Sequence, residues 1–283
     1  MQTKTPLTPT DSYIWYTYKM DVRQRSIMGG TANENFITAT IKKALVSKNE
    51  TGYIYQIDTI ERKQTNLEGI RAMEDDIVQL QNELIVQTDF SGLPIRIVNL
   101  TPIRDKWLAY RAKFKKKHKN QENISNIILE IDSLLNNNKL FTLNFIESEI
   151  GTLFFPPIYG SLTNPDETIQ QHKNFDNFFA QSALPLNITT LLKERQPNDK
   201  MVLVKRFGEL NIEKFDHYAV RKFFRKMADN IKLAIPVKVN YIESYDLNKF
   251  HAITHSGQIL NVQIEALFTF EQIARVTPLN TEL

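Results

Sequence analysis

The stretch that most constrains this chain is 83–135, where two β-prone runs meet at Ser91-Gly92 and pass directly into a basic helix and then a second amphipathic one. Leu84-Ile85-Val86 and Ile95-Arg96-Ile97-Val98 suit strands, and Gly92 between them can take the positive φ of a tight hairpin. Thr101-Pro102 predicts a helix start, with a hydroxyl to cap free N–H groups and a proline preset for the first turn. Ile103, Trp107, Tyr110 and Phe114 then form one stripe opposite Arg104, Arg111 and Lys115. Ile124, Ile127, Ile128, Ile131, Leu134 and Leu135 form the stripe of a second helix, which Asn136-Asn137-Asn138 ends. The expected unit is a helical hairpin over 101–137 lying on a sheet.

Upstream, 12–28, 33–46 and 53–60 alternate in the way strands do, with turns at Gly29-Gly30 and between Asn49 and Gly52. Three sequential strands with short connections predict an antiparallel meander. Leu67, Ile70, Met73, Ile77 and Leu80 recur three and four apart, as in an amphipathic helix. The segment 141–150 fits neither period. Consecutive prolines at Pro156 and Pro157 make the following stretch irregular, so 151–165 reads as a packed connection between halves.

Beyond it, strands are expected at 188–192, 201–207, 237–245, 249–254, 258–268 and 272–276. Turns are expected at Gln196-Pro197-Asn198-Asp199 and His255-Ser256-Gly257-Gln258. Val220, Phe223, Phe224, Met227 and Ile231 make the clearest helical stripe of this half. The two halves share element types at no fixed period, which argues against a solenoid.

These patterns predict an α+β protein with one or two curved antiparallel sheets of about nine to eleven strands, and three to five amphipathic helices on one face. The expected organisation is a flexible lead over 1–10, an N-terminal half over 11–150, the connection 151–165, and a C-terminal half over 166–283 forming one compact unit with the first.

A net charge of +3 on 283 residues disfavours a general polyanion binder. Its distribution is polar: 104–119 carries eight Lys/Arg against one acid, and 121–167 carries seven acids against Lys139 alone. Such neighbours are expected to face each other or to balance the local field. The basic segment supplies the candidate interaction face, Arg104, Arg111, Lys115, Lys116, Lys117 and Lys119, suited to an acidic protein partner more than to nucleic acid. Its aromatics, Trp107, Tyr110 and Phe114, are at core spacing and therefore are not expected to stack on bases.

Candidate chemistry is sparse. His251 and His255 have the spacing of a helical zinc pair, but β-like surroundings and no adjacent Glu argue against a metal. Glu147 and Glu149, or Asp166 and Glu167, could pair for acid/base work but read as a solvated acidic face. Nine glycines without a phosphate-loop context give no nucleotide cradle, and the absence of cysteine removes thiol chemistry. The Asn-x-Thr/Ser sequons at Asn49, Asn99, Asn123 and Asn187 are read as chance.

No cofactor and no catalytic residue is assigned, and no run approaches the roughly eighteen apolar residues of a membrane span. The polar Pro/Thr start lacks a signal-peptide core, so the chain reads as cytoplasmic, or as periplasmic or exported if a leader was removed or export is leaderless. By elimination the expectation is non-catalytic binding, as an adaptor or structural component of a larger bacterial-type assembly. The alternative is a carrier whose apolar ligand sits among aromatics such as Tyr13, Trp15, Tyr16, Tyr18, Tyr53 and Tyr55 in the concavity of a curved sheet. A third reading is an enzyme with a dispersed active site.

Overall fold

The computed structural model describes residues 6–160, 167–179, 182–196, 201–228, 236–265 and 267–279. The N-terminal strands are β1 (Tyr16–Met28), β2 (Thr31–Asn49), β3 (Gly52–Gln64), β4 (Glu83–Thr88) and β5 (Pro94–Ile97). The later strands are β6 (Thr168–Phe179), β7 (Ser182–Arg195), β8 (Met201–Leu210), β9 (Lys238–Asn248), β10 (Ile253–Ile264) and β11 (Phe268–Pro278). Helices α1 (Gly69–Gln79), α2 (Leu100–Lys117), α3 (Ile124–Asn136), α4 (Asn138–Glu147), α5 (Glu149–Phe154) and α6 (His217–Ala228) complete the fold.

All eleven strands join one antiparallel sheet in the order β5-β4-β3-β2-β1-β11-β10-β9-β8-β7-β6. The expected curved sheet or sheets do not form: the sheet is open and uncurled, with β5 at one edge and β6 at the other. The reason lies in the central pairing of β1 with β11, where Met20 faces Val276 and Val22 faces Ala274. Strands add outward from that seam in both directions, and none returns to close the edges. Helices cover the apolar face, so its burial does not require the sheet to wrap on itself.

Alternation sets which side is covered. Tyr16, Tyr18, Met20 and Val22 point inward and are buried, while Lys19, Asp21 and Arg23 point out. Their cross-strand partners Ile41, Ala39 and Ile37 of β2 continue the apolar band. Over β1–β5 this band meets α1 to α5, with Trp107 and Phe114 of α2 fully buried. Over β6–β11 it meets α6 through a second cluster built on Phe179, Phe215, Phe224 and Phe268.

Several local expectations change. Thr101 does not cap α2, which starts one residue earlier at Leu100. The preceding Asn99 instead ties the helix entry to β4, accepting from Ile85 N–H at 2.8 Å and donating to Glu83 C=O at 2.9 Å. The hairpin expected at 255–258 lies inside β10, where Gly257 faces Ser244. The reversal comes before it, where Asn248 Oδ1 accepts from Phe250 and Ala252 N–H groups.

The ambiguous 141–150 falls in α4 and α5, with Asn137 and Ser148 as their side-chain caps. Gly151 is required at their corner, because a Cβ there would lie 1.9 Å from Phe145 C=O. Of the expected flexible lead, residues 6–10 are packed: Leu7 is fully buried and Thr10 N–H bonds Phe250 C=O. Residues 161–165 of the connection, Asp166, Pro197, Asn198, Asp199 and Ile231 lie outside the described residues.

Candidate functional site

A cavity of about 470 Å³ lies where α1, α3 and α4 cross β1–β3. Its floor is the sheet, with Met20, Ile37 and Ala39; Met73 and Ile77 of α1, Ile131 of α3 and Phe141 of α4 form the roof. Small side chains at Ala39 and Thr59 lower the floor, and polar clamps fasten the roof helix at the cavity's rim. Asp75 pairs with Arg62 of β3. Asp76 accepts from Tyr110 Oη at 2.9 Å and from Lys117 Nζ at 2.7 Å, and meets His118 Nε2 at 2.8 Å. Burial pushes the Asp76 carboxyl up, but hydrogen bonds from Lys117, His118 and Tyr110 outweigh it and hold the group below its ordinary range.

The cavity opens into a polar vestibule and shares Ile37, Ile70 and Val78 with it. Here Gln24 Nε2 donates to Glu149 at 2.9 Å and to Gln272 at 3.0 Å, while Arg71 Nη1 donates to Gln24 Oε1 at 3.1 Å. Arg62 also donates to Gln64 at 2.9 Å. Glu74 borders both spaces, and burial, reinforced by Glu149 and opposed by Arg71, raises its carboxyl above the ordinary value.

A different polar cluster crosses the sheet under the second half. Thr190, Arg206, Glu243 and Gln258 stand in register on β7, β8, β9 and β10. Glu243 is fully buried and takes the Arg206 guanidinium, Lys173 Nζ at 3.0 Å, and the hydroxyls of Tyr241 and Tyr245. Burial alone would raise its carboxyl; Arg206 and then Lys173 overcome that and hold it at about 2. Gly208 faces this row because a Cβ would press on Tyr241 and Ile188 side chains, at 2.7 and 2.9 Å. These groups are mutually satisfied, which makes the cluster a structural staple first.

The sequence-derived interaction residues sit on one helix and the turn after it, with different neighbours. Arg104, Arg111, Lys115, Lys116 and Lys117 lie on α2, and Lys119 lies in the turn that follows. Arg111 pairs with Asp132 of α3 at 2.7 Å, joining the basic and acidic segments; Lys117 goes to Asp76 of α1 instead. Lys115, Lys116 and Lys119 have no ion-pair partner among the described residues. His251 Nδ1 meets the Thr8 backbone, and His255 lies 3.8 Å from Asp246, so the two rings serve different neighbours. Among the described residues no three His, Asp or Glu cluster as a metal site would need. Glu149 lines the cavity mouth, whereas Glu147, desolvated and near Asp176, is pushed up to about 7.

Sequence reasoning did not find the cavity residues. One signal was present: five apolar positions recur along α1 and its approach, yet Leu67 and Ile70 remain exposed and only Met73 is buried among them. An apolar stripe longer than the surface it covers is the trace of a roof without full contents.

No helix among the described residues is long and apolar enough to cross a membrane. No family model matches the chain, and no curated protein sequence matches it. Among solved structures, a chain of lipovitellin, described for its lipid–protein interactions, is 10% identical with a TM-score of 0.49 over 94% of this chain. This chain spans a quarter of that one's length, 25%. A domain described as an outer membrane lipoprotein-sorting protein, from Vibrio parahaemolyticus, is 4% identical with a TM-score of 0.24, covering 96% of this chain and 89% of its own. At these scores neither likeness carries an argument, and the functional reading rests on this chain's own geometry.

Proposed function

We propose that this protein binds and carries an apolar ligand in the cavity between β1–β3 and the helices α1, α3 and α4. The observation that supports it is the cavity's size and lining. About 470 Å³ falls within the roughly 300–1,000 Å³ of small-molecule sites. Because the cavity opens to the vestibule, its apolar lining is reached by water when no ligand is bound. An apolar occupant removes both that lining and its own surface from water, at about 25 cal/mol per Å² of apolar area, and restores dispersion contacts. The ligand lies under a helical roof, not in the concavity of a curved sheet.

Native mass spectrometry on gently purified protein tests this. An apolar molecule should be retained at one per chain, and delipidation should lower Tm by several degrees. Ala39→Phe on the floor, or Ile131→Phe on the roof, should abolish retention while the protein stays folded. Identical mass and Tm before and after delipidation, together with no uptake of added apolar dye, would sink the reading.

A second reading, an acidic protein partner on α2, is favoured by Lys115, Lys116 and Lys119, which meet no carboxylate among the described residues. Exposed Leu108 and Leu129 flank the same groove between α2 and α3, lined also by Arg111 and Lys115. Reversing Lys115 and Lys116 to Glu should then abolish any salt-sensitive co-purifying protein; a partner retained unchanged would exclude this face.

A further inference from the structure

We propose that the ligand is an amphiphile with a single apolar chain and a hydrogen-bond-donating head that carries no negative charge. This deepens the apolar-ligand reading and rests on it. The inner cavity and the vestibule are contiguous, since Ile37, Ile70 and Val78 border both on the apolar side and Arg62, Glu74, Asn144 and Glu149 border both on the polar side. A chain seated under α1 therefore places its head among those polar groups.

Charge decides what that head is. The linings of the two spaces contain two cations, Arg62 and Arg71, against four carboxylates, Glu68, Glu74, Glu130 and Glu149. Arg62 is engaged by Asp75 and Gln64, and Arg71, which gives one N–H to the neutral Gln24 amide, has its charge set against neighbouring Glu74. A carboxylate or phosphate head would thus compete with Asp75 and Glu74 for the two cations and would face a surplus of like charge at the mouth. Hydroxyl or amine donors would instead meet acceptors: the carboxylate oxygens and the side-chain amides of Asn66 and Asn144.

The test compares three probes with one C18 chain and different heads: 1-oleoylglycerol, oleylamine and oleate. Each displaces the neutral dye Nile red from the full-length protein at pH 8 and submicellar concentration. The glyceride and the amine should displace the dye at concentrations at least tenfold lower than oleate. The relative strength of those two tells hydroxyl from amine recognition. In the double variant Glu74→Gln, Glu130→Gln, whose side chains keep their shape, oleate should gain several-fold relative to the glyceride and to oleylamine.

Oleate displacing as well as or better than the others would overturn the head-group inference and leave the cavity reading intact. So would a variant that shifts glyceride and oleate alike, or bound dye that no probe displaces. Failure of Nile red itself to bind would remove the cavity reading, and this inference with it.

Discussion

The two ends of the same sheet are covered in opposite ways. Under α6, the rings of Phe179, Phe215, Phe224 and Phe268 meet edge to face at centroid distances of 5.7–6.0 Å. Beside them, where Lys173 and Tyr245 also bond Thr152 of α5, a fully paired carboxylate, Glu243, locks four strands together. Under α1, a cavity of about 470 Å³ remains, and the covering helix is fastened at its rim by Asp75 and Asp76. Ring packing and buried ion pairs give a rigid, singular arrangement. Rim clamps hold a helix in place without dictating what lies beneath it, which is the property a binding site needs. One continuous sheet thus carries a solid region that fixes the seam and a hollow region available to a ligand.

The largest expected effect breaks the solid side. Glu243→Gln leaves Arg206 and Lys173 buried without their shared carboxylate, and should cost about 3–5 kcal/mol in urea unfolding. A loss below about 1 kcal/mol would mean the cluster is solvated and the contrast between the two regions false. A second comparison sets truncations against each other. Phe224→Ala removes a fully buried ring from a filled cluster and should cost about 3–5 kcal/mol. Ile131→Ala, from a half-buried side chain already facing the cavity, should cost about 1 kcal/mol in delipidated protein. The Ile131 penalty should grow when ligand is bound, because only then does the side chain have a packing partner on its open side. Equal penalties in delipidated protein would show that the α1 side is as well packed as the other.

The legible part of this fold is its local periodicity. Tyr16, Tyr18, Met20 and Val22 alternate inward as the sequence implied, and Gly92 adopts φ +96 in its hairpin. Trp107 and Phe114 were readable as core by their spacing, and both are fully buried. What was not legible is non-local. Nothing in 16–28 or 268–278 marks those strands as partners, and that pairing is what leaves the sheet open instead of curled. The segment 141–150 was obscure because Phe141 and Phe145 are set by contacts with Phe155 and the sheet, while the caps sit at Asn137 and Ser148 just outside each helix. The cavity was invisible for a related reason: a missing contact leaves no residue pattern, and the exposed end of the α1 stripe is its nearest trace.

A third comparison concerns the seam between the two regions, where Lys43 of β2 is buried among Tyr55, Phe155 and the Phe154 carbonyl. Its ammonium lies 4.4 Å from both ring centroids. Burial lowers its pKa to about 7, against a weaker opposing pull from Asp11; Tyr16, Tyr18 and Tyr159 complete the neutral surroundings. The unfolded chain keeps this lysine charged to about pH 10.4, so between the two values the unfolded state binds more protons and stability rises with pH. From pH 6 to pH 9 that contribution should amount to about 2.6 kcal/mol. Lys173, whose pKa burial also lowers, adds a rise of the same sign. The informative quantity is therefore the difference between the parent and Lys43→Met, in which the Lys173 contribution cancels. Lys43→Met should be more stabilising at pH 6 than at pH 9 by that amount, read as urea midpoints across the range. A pH-independent difference would mean water reaches the Lys43 ammonium, and that the seam belongs with the hollow region.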